Sequence, residues 1–534
     1  MAENSYSTIV VGGGIAGLTA AVFQAQAGRK VLLIEMNEKC GGLVNTFNRN
    51  GFRFDAGVRA LLDAGIIFPM LKNLGAELET VKSYVSLGIG PDIIHIKTIE
   101  NLKDYAGLLK KHFPEDGADI DALIRIIRRI MKHMDVLYGI ENPVFKDLKH
   151  DLDFIFKKIL PWFPKFLFTV RKINRMKTPV ETYLEDIIKN PALRDVVAQH
   201  FFKNTPAFFA LSYFSLYLDY FYPKGGVGTL AETLAAKTGM LGGEIKTGRR
   251  VTSVDPASRF VMDDLGNIYR YDNLIWAADL KKFYAISKTD HLAPEVRNKA
   301  EETKARFLQH RGGDSIFTLF LQVDLPPEYF SEKAHGHFFY TPLAEGLGET
   351  HRRELDVLLE RFTETSREEV LDWLDRYIRL NTFEISIPCL KDPVMAPGGK
   401  TGVIISLLAE YLLFKKVEEA GWLPEFIQEI EARIIRVISG SVYPGLAGHI
   451  RGQFSFTPLS IEHRVGSSEG GITGWAFTES MPVIDRIQIA DRSVQTPIPH
   501  VYQAGQWVYS PGGVPMSILT GKLASDKVLK QKAG

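Results

Sequence analysis

Residues 7–21 read STIVVGGGIAGLTAA. The β-branched run up to Val11 has the composition of a strand buried on both faces. Gly12, Gly14 and Gly17 follow as G-x-G-x-x-G, and an Ala-rich helix is expected over 15–27, ending at Gly28. KVLLIE (30–35) is then a second strand that closes on Glu35. Glycine at 12 permits a tight turn, at 14 lets a pyrophosphate approach the backbone, and at 17 lets helix and strand pack closely. Ile15 and Ala16 supply the first helical N–H groups. Glu35 lies 18 residues beyond Gly17, where a carboxylate accepts ribose hydroxyls and repels a 2′-phosphate. The glycines alone would be a weak signal. Strand, glycines, helix, strand and acid in that order predict a dinucleotide site.

The bulk properties narrow the class. The chain has 534 residues, 45% of them hydrophobic and 24% charged, with a net charge of +1. That suits two or three globular domains with large cores and gives no signature of a nucleic-acid partner. Two cysteines, Cys40 and Cys389, stand far apart and outside any paired motif, so a reducing, cytoplasmic setting is expected. The 13 histidines form no HExxH and no zinc-like spacing, so no metal is expected. No secretory signal and no run of about 18 uncharged apolar residues occurs.

A second glycine-rich helix start lies far downstream, in AGQWVYSPGGVPMSILTGKLAS (504–525). Helix N-termini present free N–H groups and partial positive charge, so two of them suit one elongated anionic ligand. Between these ends, EKCGGLVNTFNRNGFRFDAGVRAL (38–61) carries Gly41-Gly42 and a hairpin ending in Asp55-Ala56-Gly57. YFYPKGGVGTLAETLAAKTGMLGGEIKTGRRVTSV (220–254) reads as turn, helix and two strands. Its Gly226-x-Gly228 is no second nucleotide site, because no buried strand precedes it and no acid follows at the right distance.

These segments resemble the flavin-containing amine oxidoreductase superfamily, and more narrowly its branch of phytoene desaturases, carotenoid isomerases and retinol saturases. The resemblance covers about 1–80, 220–285 and 455–534, including YDNLIWAADL (271–280) and TPLSIEHRVGSSEGGITGW (457–475). It implies FAD as the cofactor. It also implies an α/β fold in which a Rossmann-like domain of the glutathione reductase type is assembled from those three discontinuous segments. By the same resemblance Met36, Gly41, Gly42, Leu43, Gly57, Val58, Val251, Ala278, Gly505, Gln506, Val514, Pro515 and Met516 join Gly12, Gly14, Ile15, Ala16, Gly17 and Glu35 in holding FAD. The start at Val514–Met516 would face the charge that reduction leaves on the flavin ring. The chain departs from many relatives at Leu43, Val58 and Gln506, where they carry Arg, Pro and an acid or Ala.

The intervening segments should build the substrate region. Residues 81–219 read mainly as helices, and 286–454 as a mixed sheet-and-helix domain. ALIRIIRRIMKHMDVLYG (122–139) is amphipathic, and 145–177 is Phe-rich with nine Lys/Arg against three Asp. Peripheral contact with a membrane through 122–177 is expected; the competing reading is a helical lid with a solvated basic face. PAFFALSYFSLYLDYFY (206–222) is dense enough in aromatics to line an apolar tunnel.

The resemblance therefore implies an FAD-dependent oxidoreductase acting on carbon–carbon bonds of an apolar substrate such as a carotenoid, retinoid, other isoprenoid or unsaturated acyl chain. An amine oxidase and a flavin-containing lipid carrier without turnover are the alternatives. Asp55 and Lys522 are the candidate acid–base residues, being near the flavin by motif. The residues leave oligomeric state and the direction of electron flow open.

Overall fold

The computed structural model describes residues 4–146, 148, 151–478 and 480–531. Positions 147, 149 and 150 of the basic stretch, and the outermost residues of the terminal segments, lie outside the described residues.

The opening strand Ser5–Val11 is the centre of the first sheet. Thr8, Ile9 and Val10 have no exposed surface, as expected of a strand covered on both faces. It pairs in parallel with Val31–Ile34 on one side and Ile268–Trp276 on the other. Glu244–Lys246 extends the sheet in parallel beyond Val31–Ile34. On the other flank Phe260–Asp263 and Val251–Asp255 form an antiparallel appendage, and Val501–Gln503 pairs in parallel with the end of Ile268–Trp276. Strands from distant parts of the chain thus converge on one sheet, the Rossmann-like α/β arrangement expected.

Helices Ile15–Gln26 and Val514–Lys530 lie against this sheet and against each other. Gly521 makes that contact possible, since a methyl there would run into the carbonyl oxygen of Ala16. Gln24 ties the pair with Nε2–H bonds to the carbonyl (3.0 Å) and hydroxyl (2.8 Å) of Ser525.

A second sheet has the order Ile450–Phe456, Ser315–Val323, Thr401–Ala409, Phe383–Ser386, His337–Thr341, Val85–Ile89 and Asp92–Ile96. Two boundaries differ from the sequence reading. The segment expected to be helical from 81 opens with strands Val85–Ile89 and Asp92–Ile96, which belong to this sheet. Its far edge, Ile450–Phe456, runs across the expected limit at 454/455. The short HFFYT and VSLGI strands pair only when distant parts of the chain meet, so local sequence does not reveal them. The remainder up to Tyr220 is mainly helical, with Gly117–Tyr138 burying Ile120, Leu123, Ile127 and Ile130 on one face. No helix among the described residues is long and apolar enough to cross a membrane.

Candidate active site

The glycine turn at the end of the first strand is as tight as its spacing demands. Gly12 has φ +104°, and a methyl there would lie 2.8 Å from the Ala277 carbonyl oxygen and 3.3 Å from Ala278 Cβ. Gly14 caps helix Ile15–Gln26 with no side chain on the free N–H groups, and the space where its side chain would point is open. Gly41 N–H donates to the Gly13 carbonyl at 2.8 Å, and a methyl on Gly42 would come within 3.4 Å of Gly14 Cα. The double glycine therefore lies against the turn. Gly57 packs on the Leu43 carbonyl, which also accepts from Val58 N–H at 3.1 Å.

Glu35 is buried, with Oε2 accepting from Gly13 N–H (2.6 Å) and Oε1 from the backbone (2.9 Å) and side chain (2.8 Å) of Asn37. A carboxylate oxygen has two lone pairs, so Oε2 keeps capacity for a hydroxyl. The Glu35 carbonyl accepts from Arg249 N–H at 2.9 Å, which brings the strand of Val251 beside the acid. Met36 contacts the turn at Gly466.

The second helix start is equally bare. Gly513, φ +131°, caps Val514–Lys530 without a side-chain bond, and Pro515 sits in the first turn, where a missing N–H is not needed. Gly505 N–H donates to Thr520 Oγ1 at 3.0 Å, and Gln506 lies under Gly512. Gly521 crosses Ala16, so the helix reaches about 10 Å beyond that crossing at 1.5 Å per residue. The two starts thus open along one side of the domain instead of facing each other across the ligand. Bare helix ends and glycine walls fit FAD. Gly12, Gly14 and Glu35 suit its nucleotide half, and Gly42, Gly57, Gly512 and Gly513 its ring half.

Gly42, Gly57, Gly512 and Gly513 form part of the wall of a cavity of about 830 Å³. The second sheet forms its floor. Register places Phe339, Glu384, Ser406, Thr318 and Phe456 in one row across five strands, and every one of them lines the cavity. Phe47, Phe454 and Phe456 make one end aromatic, with Phe320 stacked behind Phe454 at 4.8 Å and the guanidiniums of Arg49 and Arg464 over the Phe454 and Phe456 rings. The other end sets the polar groups of Gln199, His200, His337, Thr382 and Glu384 among the rings of Phe339, Tyr213 and Tyr220. Of the aromatic run 206–222, Phe209, Tyr213 and Tyr220 line the cavity, whereas Phe208, Phe214 and Tyr217 belong to the helical core.

Neither candidate acid–base residue reaches this space. Asp55 is fully buried and accepts from Thr46 Oγ1 (2.8 Å), Val227 N–H (3.0 Å) and Tyr222 OH (2.6 Å). It ties the hairpin to the YPKGG turn. Lys522 pairs with Asp526 at 2.5 Å and lies over the Phe23 ring, outside the cavity wall. The expectation of a catalytic role for Asp55 and Lys522 is corrected accordingly. What the sequence reading missed is the polar end. His337 and Glu384 each look like an isolated polar residue in an apolar strand, and only strand register unites them.

Both are perturbed. Burial lowers the His337 imidazole below its usual range, against the hydrogen bond and charge of Glu384. Burial pushes Glu384 up, but the hydrogen bond and charge of His337, with the charges of Arg59 and Lys391, outweigh it and hold the carboxyl below the ordinary range. His200, also buried, falls to about 4.

The comparisons agree with this geometry. The model of the family described as flavin containing amine oxidoreductase matches residues 15–370. The all-trans-retinol 13,14-reductase of Danio rerio is 23% identical, over 98% of this chain and 85% of its own. The lycopene-forming phytoene desaturase of Pseudescherichia vulneris is 22% identical, over 98% and 99%. An oxidoreductase from Methanosarcina mazei shares the fold, with a TM-score of 0.61 at 14% identity and coverage of 98% of this chain and 100% of that one. The chain belongs to the flavin containing amine oxidoreductase family and is an FAD-dependent oxidoreductase.

Proposed function

We propose that the protein acts on carbon–carbon bonds of a long apolar substrate, such as a carotenoid, retinoid, other isoprenoid or unsaturated acyl chain. The observation that carries this reading is a single cavity whose wall combines the rings of Phe47, Phe454, Phe456, Phe339, Tyr213 and Tyr220 with glycines suited to FAD. The named activities of the retinol reductase and the phytoene desaturase support it. Bound FAD supplies hydride exchange with carbon. The chain's own residues position the substrate, exclude water and handle the proton. In this reading 1–80, 220–285 and the segment after Phe456 hold FAD, while the second sheet and the helices of 97–219 hold the substrate.

FAD-loaded protein should be mixed anaerobically with phytoene in liposomes, and, after photoreduction, with all-trans-retinol. The expected result is bleaching of the flavin in the first mixture or return of its colour in the second. An amine oxidase is a second reading, favoured by the carboxylate of Glu384 at the cavity wall, which could meet an ammonium group. Peroxide release with putrescine, and no response to either lipid, would establish it instead. A flavin indifferent to all three would make the protein a carrier.

We also propose that the chain meets its substrate at a membrane surface. Leu152, Phe156, Leu160, Phe163, Leu167 and Phe168 are six of the fifteen exposed large apolar side chains among the described residues. Positions 156, 160, 163 and 167 recur at helical spacing, and Lys157, Lys158, Lys165, Arg171 and Lys172 flank them. This combination suits in-plane insertion into an anionic interface. Replacing Phe156, Phe163 and Phe168 together by serine is expected to weaken binding to anionic vesicles about tenfold or more, given roughly 1.5–3 kcal/mol for each fully buried Phe. Cosedimentation at wild-type level would reject the contact.

A further inference from the structure

Glu384 occupies the middle of the second sheet, between strands His337–Thr341 and Thr401–Ala409. A side chain there should be shut off from water, yet it is 26% exposed. That exposure is into the cavity, whose wall it joins. Oε1 accepts from His337 Nε2 at 2.9 Å, and Oε2 makes no hydrogen bond among the described residues. His337 is only 3% exposed, and its Nδ1 is buried without a partner. The Tyr220 ring stacks on the imidazole at 5.6 Å and 12°. An imidazole held this way fixes one carboxylate oxygen and leaves the other to face the ligand.

The other groups whose charge bears on Glu384 come from three further elements. Arg59, in the loop after the Phe52–Asp55 strand, donates to the Asp55 carbonyl and to Ser406 Oγ. Lys391 donates to the Arg59 carbonyl (2.8 Å) and Ser386 Oγ (3.0 Å). Tyr213, Tyr217 and Tyr220 approach from the aromatic run, their phenols kept neutral by burial. Among the described residues, no second carboxylate lines the cavity at this end.

We propose that Glu384 is the catalytic residue that exchanges the proton with the substrate carbon, and that His337 is its positioning residue. The inference rests on the carbon–carbon reading of the site. In the oxidising direction, bound FAD would take the hydride of one carbon, and Glu384 Oε2 would take the proton of its neighbour. The electron pair of the second C–H bond becomes the new double bond. In the reducing direction the protonated carboxyl returns that proton to carbon. The carboxylate also faces positive charge developing on an allylic carbon, which it stabilises electrostatically.

The test uses FAD-loaded full-length protein. Glu384→Gln should keep its flavin content and melting temperature. It should convert phytoene or all-trans-retinol, whichever the wild type turns over, about a hundredfold more slowly, the lower range for loss of a general acid–base. With the wild type, oxidation should be full above the Glu384 pKa and fall as the pH drops through it, because only the ionised form accepts a proton. His337→Phe keeps a ring against Tyr220 but removes the hydrogen bond that favours the ionised form, so that acid limb should move to higher pH. A Glu384→Gln rate within a few-fold of wild type, or an acid limb that His337→Phe leaves in place, overturns the proposal.

If the wild type turns over neither lipid, the carbon–carbon reading fails first, and binding still reads the carboxylate. Hexadecyldimethylamine places a cation on an apolar chain and should perturb the flavin spectrum on binding. Its affinity for Glu384→Gln should fall about tenfold or more, as for loss of a charged hydrogen-bond partner. Equal affinity of both proteins overturns the proposal.

Discussion

A Gly17→Ala variant is expected to emerge without FAD. Gly17 lies in the first turn of helix Ile15–Gln26, and an added methyl would run into the carbonyl oxygen of Gly12. That atom cannot swing aside like a flexible side chain, because it belongs to the glycine turn itself, held by Gly12 N–H bonded to the Ile34 carbonyl at 2.9 Å. To relieve the clash the helix must move off the sheet, taking with it the free N–H groups after Gly14. Overpacking of this kind costs about 1–3 kcal/mol and sometimes more. The larger effect is on the cofactor, since the N–H groups that suit a pyrophosphate would no longer point together. The ratio of flavin to protein absorbance should fall at least about tenfold, with a lower melting temperature that added FAD does not restore. Full flavin content in this variant would mean that the turn does not hold the nucleotide.

Asp55→Ala should be the most destabilising of the polar substitutions. Its two carboxylate oxygens serve three buried donors from three places in the chain: Thr46, Tyr222 and Val227. Removing the carboxylate leaves all three unpaired, at about 1–3 kcal/mol each before relaxation. A net loss of about 3–5 kcal/mol is expected, read as a drop in denaturant midpoint at constant m. Folded protein that survives should keep its flavin and, with its substrate, much of its rate. A variant as stable as wild type but inactive would return Asp55 to the catalytic role that the motif suggested.

Asp55 illustrates where the sequence was readable and where it was not. Its presence in a conspicuous motif was visible, but its purpose depends on Tyr222 and Val227, about 170 residues away. The Rossmann-like unit was legible because its signals are local: a β-branched strand, glycines at fixed offsets and an acid closing the next strand. The second glycine start at Gly512-Gly513 was legible for the same reason. The floor of the cavity was not. Phe339, Glu384, Ser406, Thr318 and Phe456 become one row only through four pairings between strands far apart in sequence. Each strand taken alone has a mixture of apolar and small polar residues that reads as ordinary core. Segment 85–96 was obscured by the long helices that follow it.

The crossing of Gly521 over Ala16 has a consequence for how the protein is made. The ribosome delivers the nucleotide turn early and the helix that braces it after nearly everything else described. During that interval Ala16 lacks the close approach of Gly521 and the Gln24 amide lacks Ser525, so that face of the first helix stays uncovered. Domains tend to fold as their segments emerge, but this one must wait. FAD uptake therefore waits until this late helix has been made and has docked.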